Sequence, residues 1–399
     1  MNQTSLQQCI RDLANHRQTS QMIEHLHNTL EDAVETIIKI CEVPAPSFHE
    51  GQRAQLVKKM MSNLADVQAH VDEHNNVIGR YEGKCSEAKI AVSAHIDTVF
   101  PPDTEISVKK ENDTLTAPGI GDNSTSVGGM LHLMAAWNEF GYTPPFDVIF
   151  LANSCEEGLG DLEGIKAFLD NYAQRNDVDL QAMCILDGRM GGVINAAVGS
   201  RRLEVSLEAA GGHSWKDFGC TSAIHTMGSI IDHISQIEVP KSPRTTFNVG
   251  VVEGGTSVNT IAETASMLID MRSVEPDSLK RLEGRVRKII SRQVQETGCE
   301  GDITVVGDRP VGSIQDDHPL VNLAQEAGRY LGLPMNTHTA STDANVPLSR
   351  GIPAITVGIY RGQGAHRKGE TMHPSSLKRG LPLALLVVLS AVNWVHKLR

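Results

Sequence analysis

The sequence predicts an α/β protein: a mixed, mostly parallel sheet with helices on both faces, interrupted by an inserted βαββαβ domain. Three observations predict it. Short apolar runs alternate with helix-spaced segments up to about residue 187, as expected when a buried sheet is covered on both sides. The pattern then changes near Ser200 to strict polar–apolar alternation, the mark of a half-exposed antiparallel strand. From about Gly307 the helix and strand alternation resumes. At 399 residues the chain is also long for a single core. The expected limits are 1–200 with 308–399 for the larger domain and 201–307 for the insert.

The elements follow in order. Glu24 to Cys41 and Glu50 to Leu64 have helical spacing, and Lys89 to Ala94 (KIAVSA) suits a buried strand. Ser126 to Phe140 reads as a helix, Asp147 to Ala152 (DVIFLA) as a second strand, Glu163 to Tyr172 as a helix and Met183 to Leu186 as a third strand. In the insert come a strand at Arg202 to Ala209, a helix near Ser222 to Gln236, and strands near Thr246 to Val252 and Ala265 to Met271. A long helix opens at Pro276, a residue suited to a first helical turn, and a strand near Asp302 to Val306 closes the insert. A helix at Pro319 to Leu331, a strand at Ala354 to Ile359 and a last helix complete the chain. Its apolar stretch, Leu381 to Val392, is short for a membrane span and reads as core-facing. The residues before about 25 suggest no role.

Composition excludes some classes. The net charge of −12 and an aromatic content of 4% argue against a nucleic-acid partner, which needs basic surface and stacking platforms. Seven scattered cysteines without a CxxC pair argue against a disulfide framework and for a reducing compartment. The opening residues, MNQTSLQQCIRDLANHRQTS, lack the apolar run of a signal peptide. The expectation is a cytoplasmic protein without a membrane partner.

Five segments carry candidate chemistry. His95 and Asp97 end the first buried strand on the same side, so Asp97 could fix the tautomer of a metal-binding His95; alone, the pair reads better as an ion pair. Asp122 follows Gly119 and Gly121 just before a helix, where a capping role is at least as good a reading. Glu156 and Glu157 follow the second strand directly. Two acids there are costly to bury without a partner, so chemistry is the stronger reading. Cys155 is a conceivable soft ligand in an otherwise oxygen-rich segment. Asp187 ends the third strand, where a turn aspartate is the plain reading, and His366 lies in the loop after Ala354 to Ile359, which alone reads better as a solvated basic loop. Open α/β sheets place their ligands at that carboxyl edge, and separate structural explanations for every member of the set become implausible together.

Taken with HIDTV, the Gly-x-Gly-Asp segment, CEEG, ILDG, GGHS, GGTSVNTI, DMRS, STDAN and AHRKGE, the chain resembles the co-catalytic zinc exopeptidases that include peptidase T, carboxypeptidase G, aminoacylase and succinyl-diaminopimelate desuccinylase. The resemblance spans nearly everything after about residue 25. It implies a zinc exopeptidase catalytic domain with an inserted lid/dimerisation domain. It implies two zinc ions per chain, replaceable by cobalt or manganese. Asp122 would bridge them, His95 and Asp187 would complete one site, and Glu157 and His366 the other. His366 is preferred to His373 because Glu370 follows it four residues on. Glu156 would be the general base and Asp97 the partner of His95. His213 would steady an oxyanion, reaching across from a second subunit of a homodimer. Asn259 and Arg272 would bind polar substrate groups, and Asp343 would line the site. Three carboxylates and one hydroxide would balance the charge of two zinc ions. Aspartate at 187 is the aminopeptidase-like choice, whereas Asn123 leaves the branch open. The implied substrate is a di- or tripeptide. An N-acyl amino acid or a carboxypeptidase substrate is the close alternative, and a non-catalytic metal-dependent binding protein is the distant one.

Overall fold

The computed structural model describes residues 3–64, 67–175 and 178–398. They form two compact units, one of Met1–Ala197 with Ser313–Arg399 and one of Val198–Gly312.

The first unit is built on a mixed sheet. Its strands run in the spatial order Val67–Val71, Val77–Tyr81, Asp147–Asn153, Ala88–His95, Ala182–Leu186, Ala354–Val357 and Gly192–Ala197. Ala88–His95 lies parallel to both Asp147–Asn153 and Ala182–Leu186, and Ala354–Val357 is parallel to Ala182–Leu186. The flanking strands are antiparallel: Val77–Tyr81 against Asp147–Asn153, and Gly192–Ala197 against Ala354–Val357. Asn336–Ala340 adds a parallel neighbour to Gly192–Ala197.

The strand pleat explains the apolar runs seen in the sequence. Ile90, Val92, Val148, Phe150 and Cys184 face one core with the helices Leu30–Cys41, Ser126–Glu139, Pro319–Tyr330 and Leu377–His396. Ala91, Ile149, Leu151, Met183 and Ile185 face a second core under Glu163–Ala167 and Asn345–Ser349. Both faces of each central strand are therefore apolar, so these strands read as continuous runs. The final helix has the length and composition of a membrane span, yet 78% of its apolar window is buried in this core.

Two expectations need correction. The described residues before 25 lie in amphipathic helices, Gln3–Asn15 and Arg17–Asn28, which bury Leu6, Ile10, Met22 and Leu26. The helix expected over Glu24 to Cys41 is two helices broken at Thr29. There the Thr29 hydroxyl donates to the His25 carbonyl at 2.8 Å, the local bonding by which threonine ends helices. The hairpin Val67–Val71 with Val77–Tyr81 also went unread, because its strands are short and carry polar residues.

The second unit has a four-stranded antiparallel sheet, ordered Thr245–Gly254, Thr264–Ser273, Gly199–Glu208 and Glu300–Arg309, and a short two-stranded one, Gly212–His213 with Thr260–Ile261. Ala223–Ser235 and Pro276–Thr297 pack on the larger sheet, burying Leu203, Val205, Met267, Ile269, Ile230 and Val286. Chain order is strand, helix, two strands, helix, strand, as the alternation predicts.

Candidate metal centre

Every acid and histidine of the centre leaves the sheet at the carboxyl end of a strand or lies in a loop pinned there. His95 is the last residue of Ala88–His95. The turn beyond it is held by Arg53, a fully buried guanidinium that donates to the carbonyls of Ile96 (2.8 Å), Val43 (2.8 Å) and Cys41 (3.1 Å). Asp97 joins two strand ends. Its Oδ1 lies 3.4 Å from His95 Nδ1 and accepts the Glu156 N–H at 2.9 Å. Its Oδ2 accepts the Glu157 N–H at 2.9 Å and the Ser47 hydroxyl at 2.6 Å. Burial raises the Asp97 carboxyl, but the hydrogen bond and charge of His95, with the Ser47 hydroxyl and the Glu157 N–H, together outweigh it and hold the group below the usual range.

Asp122 is presented by a loop that Glu370 clamps. The buried Glu370 carboxylate accepts the N–H groups of Gly119 (3.0 Å), Gly121 (3.1 Å) and Asp122 (2.8 Å). Only glycine fits at 121: a Cβ would stand 2.5 Å from Tyr360 Oη and 2.6 Å from Glu370 Oε1. The loop ends in a cis Asp122–Asn123 peptide. Asn123 Nδ2 donates to the Leu186 carbonyl at 3.0 Å, tying Asp122 to the strand that delivers Asp187.

The ligand atoms converge as overlapping groups, each within 4.8 Å: His95, Asp122 and Asp187; Asp122, Glu157 and His366; His95, Glu156 and Glu157. Asp122 belongs to the first two. Its Oδ1 is 3.1 Å from His95 Nε2 and its Oδ2 is 3.3 Å from His366 Nε2. Asp187 Oδ1 lies 3.8 Å from His95 Nε2, and Glu157 Oε1 lies 3.0 Å from His366 Nε2. His373 lies elsewhere, its Nδ1 at 2.9 Å from the Asp113 carbonyl. Cys155 also turns away, donating to Glu50 Oε1 at 3.1 Å, with burial pushing its thiol well up. Asp343 Oδ2 accepts from Asn153 Nδ2 at 2.8 Å, and its charge adds to the field on Asp187.

This field is what a cation would relieve. Burial, then the Asp122 charge, push the Asp187 carboxyl up to about 7. Burial also raises Asp122, but hydrogen bonds from His366 and His95 hold it well below the carboxylate range. Hydrogen bonds to Asp122 and Glu157 push His366 up to about 10. Burial lowers His95, and its bonds to Asp122 and Asp97 overcome this, leaving it well above the ordinary value. Protons on two imidazoles thus stand where positive charge is wanted. Nitrogen and carboxylate donors without thiolate, with one carboxylate facing both imidazoles, fit two divalent cations of the zinc kind.

The remaining sequence candidates lie in the second unit. His213 and Asn259 are neighbours there, with His213 paired to Thr260 and Ser214 N–H donating to the Asn259 carbonyl at 3.0 Å. His213 Nδ1 accepts the N–H groups of Trp215 (3.2 Å) and Lys216 (3.4 Å), so the neutral ring carries its proton on Nε2. Arg272 Nε meets Asp270 Oδ2 at 2.7 Å. Sequence reasoning did not single out Ser47, Arg53 or Glu370 as supports. The one available signal was the glutamate four residues after His366.

A mixed α/β sheet presenting such a centre at its carboxyl edge defines a metal-dependent hydrolase. Residues 91–389 match the family described as Peptidase family M20/M25/M40, and the chain belongs to that family. It is 21% identical over 375 residues to the uncharacterized protein YqjE of Bacillus subtilis, covering 90% of this chain and 98% of that one. Its fold is similar to that of aminopeptidase PepT from Bacillus cereus, at a TM-score of 0.72 and 20% identity over 91% of this chain and 99% of the other. It is also similar in fold to the Bacillus subtilis YXEP protein, described as a dinuclear metal binding peptidase, at a TM-score of 0.65 and 17% identity over 92% and 99% of the two chains.

Proposed function

We propose that this chain is a two-zinc exopeptidase of the peptidase T kind, releasing residues from di- and tripeptides. The observation that carries the proposal is the Asp122 carboxylate, one oxygen facing His95 and the other His366. His95, Asp187 and Asp122 would hold one ion, and Glu157, His366 and Asp122 the other. When bound, the ions supply Lewis acidity to the scissile carbonyl and to water.

The chain's own residues do the rest. His95 Nδ1 donates to the Asp97 carbonyl oxygen at 3.2 Å, with the Asp97 carboxylate at 3.4 Å, so the Nε2 lone pair points into the centre. The Glu156 carboxylate takes the proton of the attacking water and hands it to the leaving nitrogen. Glu156 is buried beside His95 and Glu157, an arrangement that a protein built only to bind would not need. The His213 Nε2–H is a donor for an oxyanion, and Asn259 and Arg272 are partners for polar substrate groups. We place His213 in trans, within a homodimer formed through the second unit. We place the protein in the cytoplasm, where the free cysteines stay reduced.

The test is a panel of free di- and tripeptides beside N-acyl amino acids, given to zinc-loaded protein. Release of N-terminal residues is expected. Cleavage of the N-acyl series alone would replace the reading with an amidohydrolase, and inertness on every substrate would overturn it. Subunit exchange between His213→Ala and Glu156→Ala proteins should restore activity if catalysis is shared between chains. Failure of hybrid dimers to recover it would return His213 to its own subunit.

A further inference from the structure

Beside the centre lies an open cavity of about 830 Å³, lined on one side by 187–192 with Gly358, Arg361 and Gly362, and elsewhere by 338–340 and His373. Asp187 stands at one end of the first wall, so the cavity opens directly from the metal-ligand cluster. The segments 187–192 and 358–362 run side by side: Met190 N–H donates to the Tyr360 carbonyl at 2.8 Å, and Arg189 bridges to Tyr360. Their approach requires glycine at 358, where a Cβ would stand 2.3 Å from the Gly188 carbonyl oxygen.

This wall carries two guanidinium groups, Arg189 and Arg361. Arg189 Nη1 reaches the Gly362 carbonyl at 3.5 Å, which brings its head group beside the residue next to Arg361. Arg80, Arg202, Arg272 and Arg350 each meet a carboxylate within 3.2 Å, whereas the exposed Arg17, Arg244 and Arg379 meet none among the described residues. Among the described residues neither Arg189 nor Arg361 forms an ion pair, although the cavity they line begins at an acidic centre. Both side chains are exposed, so lack of a partner alone is ordinary; what sets them apart is that they line a cavity shared with Asp187, where their charge faces any anion that enters. A guanidinium fork matches a carboxylate in geometry and charge.

We propose that Arg189 and Arg361 form a carboxylate-binding subsite and that the preferred substrate carries an additional acidic group on the Asp187 side of the scissile amide. The proposal rests on the two-metal peptidase reading and narrows its substrate class. The carboxylate has two chemical sources, an acidic amino-acid side chain or a dicarboxylic acyl group.

Matched pairs test it: a dipeptide beginning with glutamate against its glutamine analogue, and an N-succinyl amino acid against its N-butanoyl analogue. The zinc-loaded protein should favour the carboxylated member of one pair by about 10-fold or more in kcat/KM, which also identifies the source. In the Arg189→Gln, Arg361→Gln double variant that ratio should fall close to one. Arg361→Glu should shift preference toward the analogue beginning with lysine, a change that a merely structural arginine would not produce. Equal kcat/KM within both pairs, or an unchanged ratio in the double variant, would overturn the subsite while leaving the peptidase reading in place. If no substrate is cleaved, binding of glutarate to the same proteins decides the subsite alone. Affinity about 10-fold weaker in the double variant supports it, and equal affinity rejects it.

Discussion

His366 Nε2 lies 3.0 Å from Glu157 Oε1, although 209 residues separate them in sequence. His373, seven positions later, instead bonds the Asp113 carbonyl and Thr114. His366→Ala should therefore lose about one of two equivalents of bound zinc, and His373→Ala should keep both. Metal analysis of protein never exposed to chelator checks this. Loss confined to His373→Ala would reverse the assignment.

Glu156 lies beside the ligands but outside both groups that share Asp122. Glu156→Gln should retain two metal equivalents and lose roughly 10²–10⁴-fold in kcat, the usual worth of positioned proton transfer. Steady-state kinetics with parallel metal analysis decides it, and full activity would remove the base assignment.

The Glu370 clamp satisfies three buried N–H donors at once. Glu370→Ala would strand them, at a cost of roughly 2–4 kcal/mol in unfolding free energy, and would loosen the bridging carboxylate. Denaturant unfolding and zinc competition should both register the loss. A variant with native stability and zinc affinity would show the clamp to be dispensable.

The raised proton affinity of His366 gives the metal-free protein a defined pH response. With its folded value at about 10, the folded state holds this proton more tightly than the unfolded chain. The resulting stabilisation is complete below the unfolded value of about 6.5 and is lost as pH rises through the folded one. Thermal melts of metal-free protein should thus fall between pH 7 and 10. The zinc form should lack this decline, because its imidazoles are already deprotonated. A flat metal-free profile would contradict the assignment.

Much of this was legible in the chain. Buried parallel strands are apolar on both faces, so acids and a histidine ending them stand out, as at His95, Glu156 and Asp187. The insert was legible because its strands alternate, as along Thr264–Ser273. The supports were not. Arg53 acts through three carbonyls and Glu370 through three amides, and backbone partners leave no trace in side-chain spacing. The helices before residue 25 were hidden because their polar faces dominate the composition, while Leu6, Ile10, Met22 and Leu26 are sparse. Arg189 and Arg361 could not be paired from sequence, since only adjacent segments of the folded chain make them neighbours.

The clamp on the Asp122 loop comes from 248 residues downstream. During synthesis, the ribosome releases His95, Asp122, Glu157 and Asp187 long before His366 and Glu370 emerge. A nascent polypeptide therefore offers only an incomplete, loosely held cage. Until residues 366–370 have been made, the Asp122 loop lacks both its clamp and the second imidazole beside its carboxylate.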